Sequence, residues 1–457
     1  MAIESRNPAT GESLASYPPL DAQAIEAKLA RASTAFPSWR RTAFAERARV
    51  LERASALLDA NADRLGRLMT MEMGKLVGPA RDEILKCARG CRYYAEHGAA
   101  FLADEAADVG TDAARTFVRY EPLGAIFAIM PWNFPFWQVF RFAAPALMGG
   151  NVVLLKHAPN VPQCALAIEA VFKDAGCPEG VLQALLIEVD QVPPILADDR
   201  IKGVTLTGSD RAGRDVASRA GRALKKTVLE LGGSDPFIVM PSADMAHAVA
   251  IAVKSRTINT GQSCIAAKRF IVASSIADEF TDRFVSAMSS LKMGDPLDPA
   301  TEIGPMARGD LVETLSAQVG DALARGARRL TAEAPAGSRG CFYPPTVLVD
   351  VPKHARVYRE EVFGPVATIF RAADADEAIA LANDTPYGLG ASVWTNDPVE
   401  RDRFVEGLEA GQVFVNAMVA SDPRVPFGGV KMSGYGRELG AHGIREFVQA
   451  KTVWIGS

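Results

Sequence analysis

The chain has 457 residues, 48% hydrophobic and 23% charged, with 50 basic against 54 acidic side chains and a formal charge of −4. That length exceeds one ordinary core and predicts two or three domains, while a near-balanced charge with no basic block gives no footing for nucleic acid. The apolar run 143–155 is broken by Pro145, Gly149 and Gly150, short of the ~20 residues that a membrane span needs. Met1-Ala2-Ile3-Glu4 opens without an apolar signal core, and six cysteines in so long a chain make no disulfide framework. Cys87 and Cys91 fall one helical turn apart with no second ligand pair nearby, which argues against a metal site. A soluble cytoplasmic protein is expected.

Residues 21–100 read as helices, because Ile25, Leu29, Phe36, Val50, Leu57, Leu65 and Leu68 recur near helical spacing. Thr116–Tyr120 alternates like a strand. Ala125-Ile126-Phe127-Ala128-Ile129-Met130 is a buried-type strand running into Pro131-Trp132-Asn133-Phe134-Pro135, and Val152-Val153-Leu154-Leu155-Lys156 is another. Then come a helix over 161–175, short strands over 182–187 and 203–207, a helix over 210–223 and a strand over 226–231. Strands alternating with helices predict an α/β fold with a parallel sheet covered on both faces. Ligands bind beyond the carboxyl ends of such strands, where Asn133, Lys156, Gly208-Ser209 and Glu230 fall. The loop Gly208-x4-Gly213 opens a helix, so its amides suit a pyrophosphate as well as a tight turn.

The second half repeats the alternation. A strand over 236–240 and a helix over 246–259 lead to Thr260-Gly261-Gln262-Ser263-Cys264, a polar-flanked cysteine of the reactive rather than the structural kind. Upstream, Val228-Leu229-Glu230-Leu231-Gly232-Gly233 carries a lone carboxylate at a strand end, and the two make a candidate nucleophile and base. Helices are predicted over 280–288 and 375–383, strands over 345–350 and 413–416, and the chain closes with a helix near 440–449 and a strand over 452–455.

Taken in order, Pro131-Trp132-Asn133-Phe134-Pro135, Lys156, Gly208-Ser209, Glu230-Leu231-Gly232-Gly233, Gly261-Gln262-x-Cys264, Glu361-x-Phe363-Gly364-Pro365 and Pro426-Phe427-Gly428-Gly429 resemble the aldehyde dehydrogenase superfamily over nearly the whole chain. Within it the chain is most similar to the succinate-semialdehyde dehydrogenases that use NADP. The resemblance implies a Rossmann-type cofactor domain over 1–103 and 123–232, and a catalytic domain over 233–440. It further implies a small β oligomerisation element over 104–122 and 441–457. Strands 115–120 and 451–455 find no partner within the larger domains, and such edges invite pairing with another subunit, so a homodimer or homotetramer is expected.

The resemblance also assigns roles. Cys264 is the nucleophile that forms a thiohemiacetal and then a thioester, Asn133 a donor to the oxyanion, and Glu230 the base for the hydrolytic water. Trp132, Lys156, Gly208, Ser209, Gly213, Leu231, Glu361 and Phe363 are cofactor-site positions. NAD-preferring members commonly carry an acid where this chain has Pro159, in Lys156-His157-Ala158-Pro159. Its absence leaves room for a 2′-phosphate, with Lys156 and His157 adding positive charge, so NADP is the expected cofactor and NAD a possible second. For the substrate, Arg141 amid Phe136, Trp137, Phe140 and Phe142 matches an arginine that reads a distal carboxylate, the alternative being a structural salt bridge. A second family arginine is Ile258 here, with Ser421 and Arg424 as replacements. The same chemistry on glutarate semialdehyde or an apolar aldehyde is the alternative. More remote are a cysteine hydrolase, which would need a histidine beside Cys264, and a non-catalytic binding protein.

Overall fold

The computed structural model describes residues 2–110, 113–332 and 340–456. Two largely parallel sheets face the site. The first has the strand order Gly434–Tyr435, Lys226–Glu230, Ile201–Thr207, Ala125–Met130, Val152–His157, Leu182–Ala184, with only the Gly434–Tyr435 edge antiparallel. Every residue of Val152–His157 is buried, as expected of a parallel strand covered on both faces. The helix Trp137–Met148 is buried all round, which marks it as interior rather than amphipathic. The second sheet runs Arg328–Arg329, Thr346–Val349, Val366–Ala372, Arg269–Ala273, Pro236–Val239, Ala391–Trp394, Val413–Val415, with only Arg328–Arg329 antiparallel. No helix among the described residues is long and apolar enough to cross a membrane.

A third sheet is built from the two strands that lacked partners in the sequence. Val448–Ile455 pairs antiparallel with Arg115–Pro122 along its whole length, and Glu105–Ala106 adds on the far side; residues 111 and 112 of the expected 104–122 hairpin lie outside the described residues. The closing helix, predicted to reach 449, stops at Arg445. Its would-be continuation is drawn into the strand because the carbonyl of Phe447 takes the amide of Leu123 (3.2 Å) and the side-chain amide of Asn151 (2.9 Å). The strand predicted over 226–231 likewise ends at Glu230, since Leu231 N–H donates to Ser433 O (2.9 Å) instead of continuing the ladder.

Asn151 is the clasp of this region. Its Oδ1 accepts from Gly124 N–H at 3.1 Å, and its Nδ2 donates to the carbonyls of Phe447 and Ala146. A buried amide that satisfies three segments cannot be truncated without stranding their backbone groups, each worth ~1–3 kcal/mol. Asn151→Ala is therefore expected to destabilise the protein by about 3 kcal/mol, seen as a lower midpoint of urea unfolding.

Candidate active site

A cleft of about 350 Å³ opens where the strand ends of the first sheet meet the loop leading into the second. Trp132, Asn133, Gly208, Ser209, Leu231, Cys264, Glu361 and Phe363, all singled out in the sequence, line it together with Gln138, Thr207, Arg308 and Leu311, which were not. Its lining includes no histidine, so the partner that a cysteine hydrolase would need is missing.

The cysteine loop is held in an unusual backbone. Beyond the helix Met245–Thr257, Asn259, Thr260 and Gly261 are left-handed in succession, with φ of +53°, +56° and +74°. Two non-glycine residues there cost of order 1–3 kcal/mol each, and the surroundings hold them. Asn259 Nδ2 donates to Asn133 O (2.7 Å) and Gln262 O (3.1 Å), Arg256 donates to Gly261 O (2.8 Å), and Gln262 Oε1 accepts Ala307 N–H (2.8 Å). Asn133 Nδ2 donates to Gln262 O at 3.1 Å. A carboxamide nitrogen carries two donors, so one remains for an oxyanion beside Cys264. From below, Lys268 Nζ donates to the carbonyls of Ser263 (2.8 Å) and Cys264 (2.5 Å) and lies 3.4 Å from Glu361 Oε1. Burial pushes the Cys264 thiol up to about 12, with Lys268 and Arg141 drawing it back down.

Glu230 ends its strand buried, and its two oxygens make no hydrogen bond among the described residues. Burial raises its pKa well above the carboxylate range, opposed by the charge of Arg141. Cys264 can thus attack, Asn133 can donate to developing negative charge, and Glu230 can take a proton from water.

The cofactor positions divide. Gly208 N–H bonds Glu230 O (3.0 Å), and Ser209 caps the next helix by accepting from Ala212 N–H (3.3 Å). A Cβ on Gly213 would lie 2.6 Å from Leu231, and one on Gly232 2.6 Å from Glu361 Oε2, so both glycines permit close approach. Glu361 Oε1 accepts Gly233 N–H at 3.0 Å, and Phe363 stands edge-on to Trp132 at 5.7 Å. Lys156 is buried, bonded among the described residues only to His157 O (3.2 Å), and burial pushes it down to about 8. Pro159 is exposed in the turn after its strand. His157 departs from expectation. Its Nδ1 accepts Ala158 N–H (2.9 Å), so Nε2 carries the proton and donates to Pro135 O (2.8 Å), and burial lowers its pKa to about 4. The imidazole is neutral and adds no positive charge.

The substrate residues depart further. Arg141 is paired with buried Glu438, donates to Thr207 Oγ1 (3.3 Å) and stacks over Phe427 at 4.6 Å. Its charge is already matched inside the protein, as a structural salt bridge. Arg424 is exposed and forked onto Asp422, both bonds 2.8 Å, so it faces solvent rather than a substrate. Ser421 is buried and accepts from Trp137 Nε1 (2.9 Å) and Lys86 Nζ (2.7 Å). Arg308 and Lys86 lie far from the motifs in sequence; Glu438 follows soon after Gly429, and the Phe427↔Glu438 bridge, invisible to periodicity, helps bring it to Arg141.

A model of the aldehyde dehydrogenase family matches residues 1–453. The chain belongs to that family. This aldehyde dehydrogenase is 54% identical to the "Succinate-semialdehyde dehydrogenase [NADP(+)]" of Mycobacterium avium, over all of this chain and 97% of that protein. It is likewise 54% identical to "Succinate-semialdehyde dehydrogenase [NADP(+)] 1" of Mycobacterium tuberculosis, over the whole of both. Among solved structures, a succinic semialdehyde dehydrogenase from Streptococcus pyogenes in complex with NADP+ superposes with a TM-score of 0.97 at 35% identity, covering 99% of this chain and 100% of that one.

Gly261 of the dehydrogenase's cysteine loop has no room for a side chain, because a Cβ there would lie 2.3 Å from Gly364 O on a φ of +74°. The obstructing atom is backbone, so the loop must move. Gly261→Ala is expected to lower kcat about 100-fold or more, the scale of a misplacement near 1 Å, while far-UV circular dichroism stays unchanged.

Proposed function

We propose that this dehydrogenase oxidises succinate semialdehyde to succinate, with NADP preferred as oxidant. The observation that carries the reading is full-length 54% identity to relatives of that name, with the nucleophile and donor positions in one cleft. The absence of an acid at Pro159 and a buried Lys156 with no carboxylate partner among the described residues suit a 2′-phosphate. Ser209 and the Gly208 turn suit a pyrophosphate at a helix N-terminus, and Glu361 suits ribose hydroxyls.

Cys264, as thiolate, forms a C–S bond to the aldehyde carbon while the carbonyl electron pair moves to oxygen, where the free N–H of Asn133 stabilises it. When bound, the nicotinamide dinucleotide phosphate supplies the oxidant by accepting the aldehyde hydrogen as hydride. Glu230 takes a proton from water as the water attacks the resulting thioester, the C–S bond breaks, and the acid leaves with Cys264 restored. We also infer a cytoplasmic homo-oligomer. Trp454 and Ile455 are exposed on the outer strand of the third sheet, an edge suited to a second subunit.

The test is kcat/KM for succinic semialdehyde against butanal, which lacks only the distal carboxylate, with NADP and with NAD. A preference of several hundred-fold for the acid, about 3.5 kcal/mol at tenfold per 1.4 kcal/mol, and a clear preference for NADP are expected. A ratio near one removes succinate semialdehyde and leaves an apolar aldehyde.

The raised pKa of Glu230 fixes a pH limb. Below that pKa the carboxyl keeps its proton and cannot accept one from water, so hydrolysis rises with pH, at values above the usual carboxylate range. Glu230→Gln is expected to lower steady-state kcat by about 10²–10⁴ and abolish the limb. A stoichiometric burst of NADPH should survive, read by stopped-flow absorbance, because the burst precedes hydrolysis.

A further inference from the structure

Four residues beyond Cys264, Lys268 is buried beneath the cysteine loop and takes no part in the cleft lining. Its backbone is fixed from two sides. The Lys268 N–H donates to Asp235 O (3.0 Å), and its carbonyl accepts the N–H and the hydroxyl of Thr368 (both 3.0 Å). The side chain turns back under the loop. An ammonium has three donors; two go to the carbonyls of Ser263 and Cys264, and Glu361 Oε1 faces the group at 3.4 Å. Glu361 is itself held, since the same oxygen accepts Gly233 N–H. Gly233 in turn makes room for the nucleophile, because a Cβ there would lie 2.7 Å from Cys264 O.

These contacts act on both peptide groups of the cysteine. The Ser263–Cys264 peptide is trans, so an ammonium on its carbonyl turns the Cys264 N–H the opposite way. That N–H bonds to no described residue and stays free for an oxyanion beside Asn133. Holding carbonyls needs no charge, as Asn151 shows by clasping three segments with a neutral amide. Burying a full charge for that purpose alone is costly. The charged and titratable groups around Lys268 are Glu361, Asp235, Arg256 and the Cys264 thiol. Burial pushes Asp235 up to about 7, so near neutral pH this cluster of two cations and two acids carries a surplus of positive charge. An ionised Cys264 balances that surplus. Burial opposes ionisation of the thiol, and among the neighbouring charges that of Lys268 favours it most, ahead of Arg141, while Glu361 and Asp235 work against it.

We propose that Lys268 is the positioning residue of the nucleophile: its ammonium fixes the two carbonyls around Cys264 and is the cation against which the thiolate forms as the proton passes to solvent. The inference rests on the reading of Cys264 as nucleophile and is independent of which aldehyde is oxidised. Glu361 draws on the same charge, so neutralising it leaves more of the Lys268 field to the thiolate.

The experiment measures the rate at which iodoacetamide, a neutral reagent, alkylates Cys264 at about pH 7 in the full chain without added nucleotide, read by mass spectrometry of the Cys264 peptide. Wild-type, Lys268→Met, Lys268→Arg and Glu361→Gln proteins are compared, with thermal melting as the check on folding. Lys268→Met is expected to slow alkylation about tenfold or more, the effect of taking an opposite charge from beside a thiol. Lys268→Arg should restore much of the rate, and Glu361→Gln should raise it severalfold above wild type. A lysine that only props the loop gives another result, because a loosened loop leaves Cys264 as accessible as before or more so. An unchanged or faster rate in Lys268→Met therefore overturns the proposal. If Lys268→Met does not fold, Glu361→Gln decides, and no acceleration there overturns it. Turnover of succinic semialdehyde and butanal that survives in Cys264→Ser overturns the nucleophile reading instead, and the two failures are thereby told apart.

Discussion

The structure turns on one short piece of backbone, the left-handed run Asn259-Thr260-Gly261 that delivers Cys264. Two non-glycine residues in that region persist only where neighbours over-determine them, and here the neighbours come from both halves of the chain. Asn133, at the end of a strand in the first sheet, trades hydrogen bonds with Asn259 and the Gln262 carbonyl. Gly364, at the entry to a strand in the second, sits where any side chain on Gly261 would go. Lys268 ties the Ser263 and Cys264 carbonyls to Glu361. The nucleophile is therefore placed by the meeting of two sheets, and its loop cannot shift without moving the donor asparagine and the Glu361 carboxylate with it.

The same junction concentrates buried charge. Lys268 stands among Glu361 and Asp235, Arg141 beside Glu438 and Glu230, and Lys75 against Glu83. Each cluster offsets some of the desolvation its members suffer, since an unpaired buried charge costs several kcal/mol. Glu230 is the exception that chemistry needs. Burial raises its pKa, the charge of Arg141 only partly opposes this, the charge of Glu438 adds to it, and it makes no hydrogen bond among the described residues, so its proton is held tightly. Replacing the Arg141–Glu438 pair with a free arginine would pull Glu230 down and weaken it as a base. The ion pair thus tunes the carboxylate and matches the charge of Arg141.

Much of this was legible in the sequence because it is local. Val152–Lys156 reads as a strand from its own residues, Asn133 and Glu230 stand in short motifs at strand ends, and Cys264 in a polar loop delivered by a helix. The misses share a physical cause, which is partnership across long separations. Nothing near Arg141 in sequence announces Glu438, almost three hundred residues on. His157 looks like a charge until Pro135 O and its own following amide are seen to fix it as a neutral donor. The closing helix stops early because Asn151 and Leu123 claim the Phe447 carbonyl, a contact that no helical periodicity encodes. Ionisable side chains and element ends are decided by who stands opposite, and that is a tertiary fact.

Among the described residues, Lys156, buried near the end of a strand of the first sheet, and Lys86, half-buried over Trp137, have no carboxylate partner, and burial pushes each down to about 8. The internal acids here have cations near them, while these two cations have only carbonyl, hydroxyl or ring contacts. A dinucleotide phosphate at Lys156 would complete what the fold leaves open there. Selectivity of this kind comes less from tight contact with the correct ligand than from the cost that a wrong one leaves standing. Sites built around polar groups reject ligands that lack the partner far more strongly than apolar pockets reject a missing methylene.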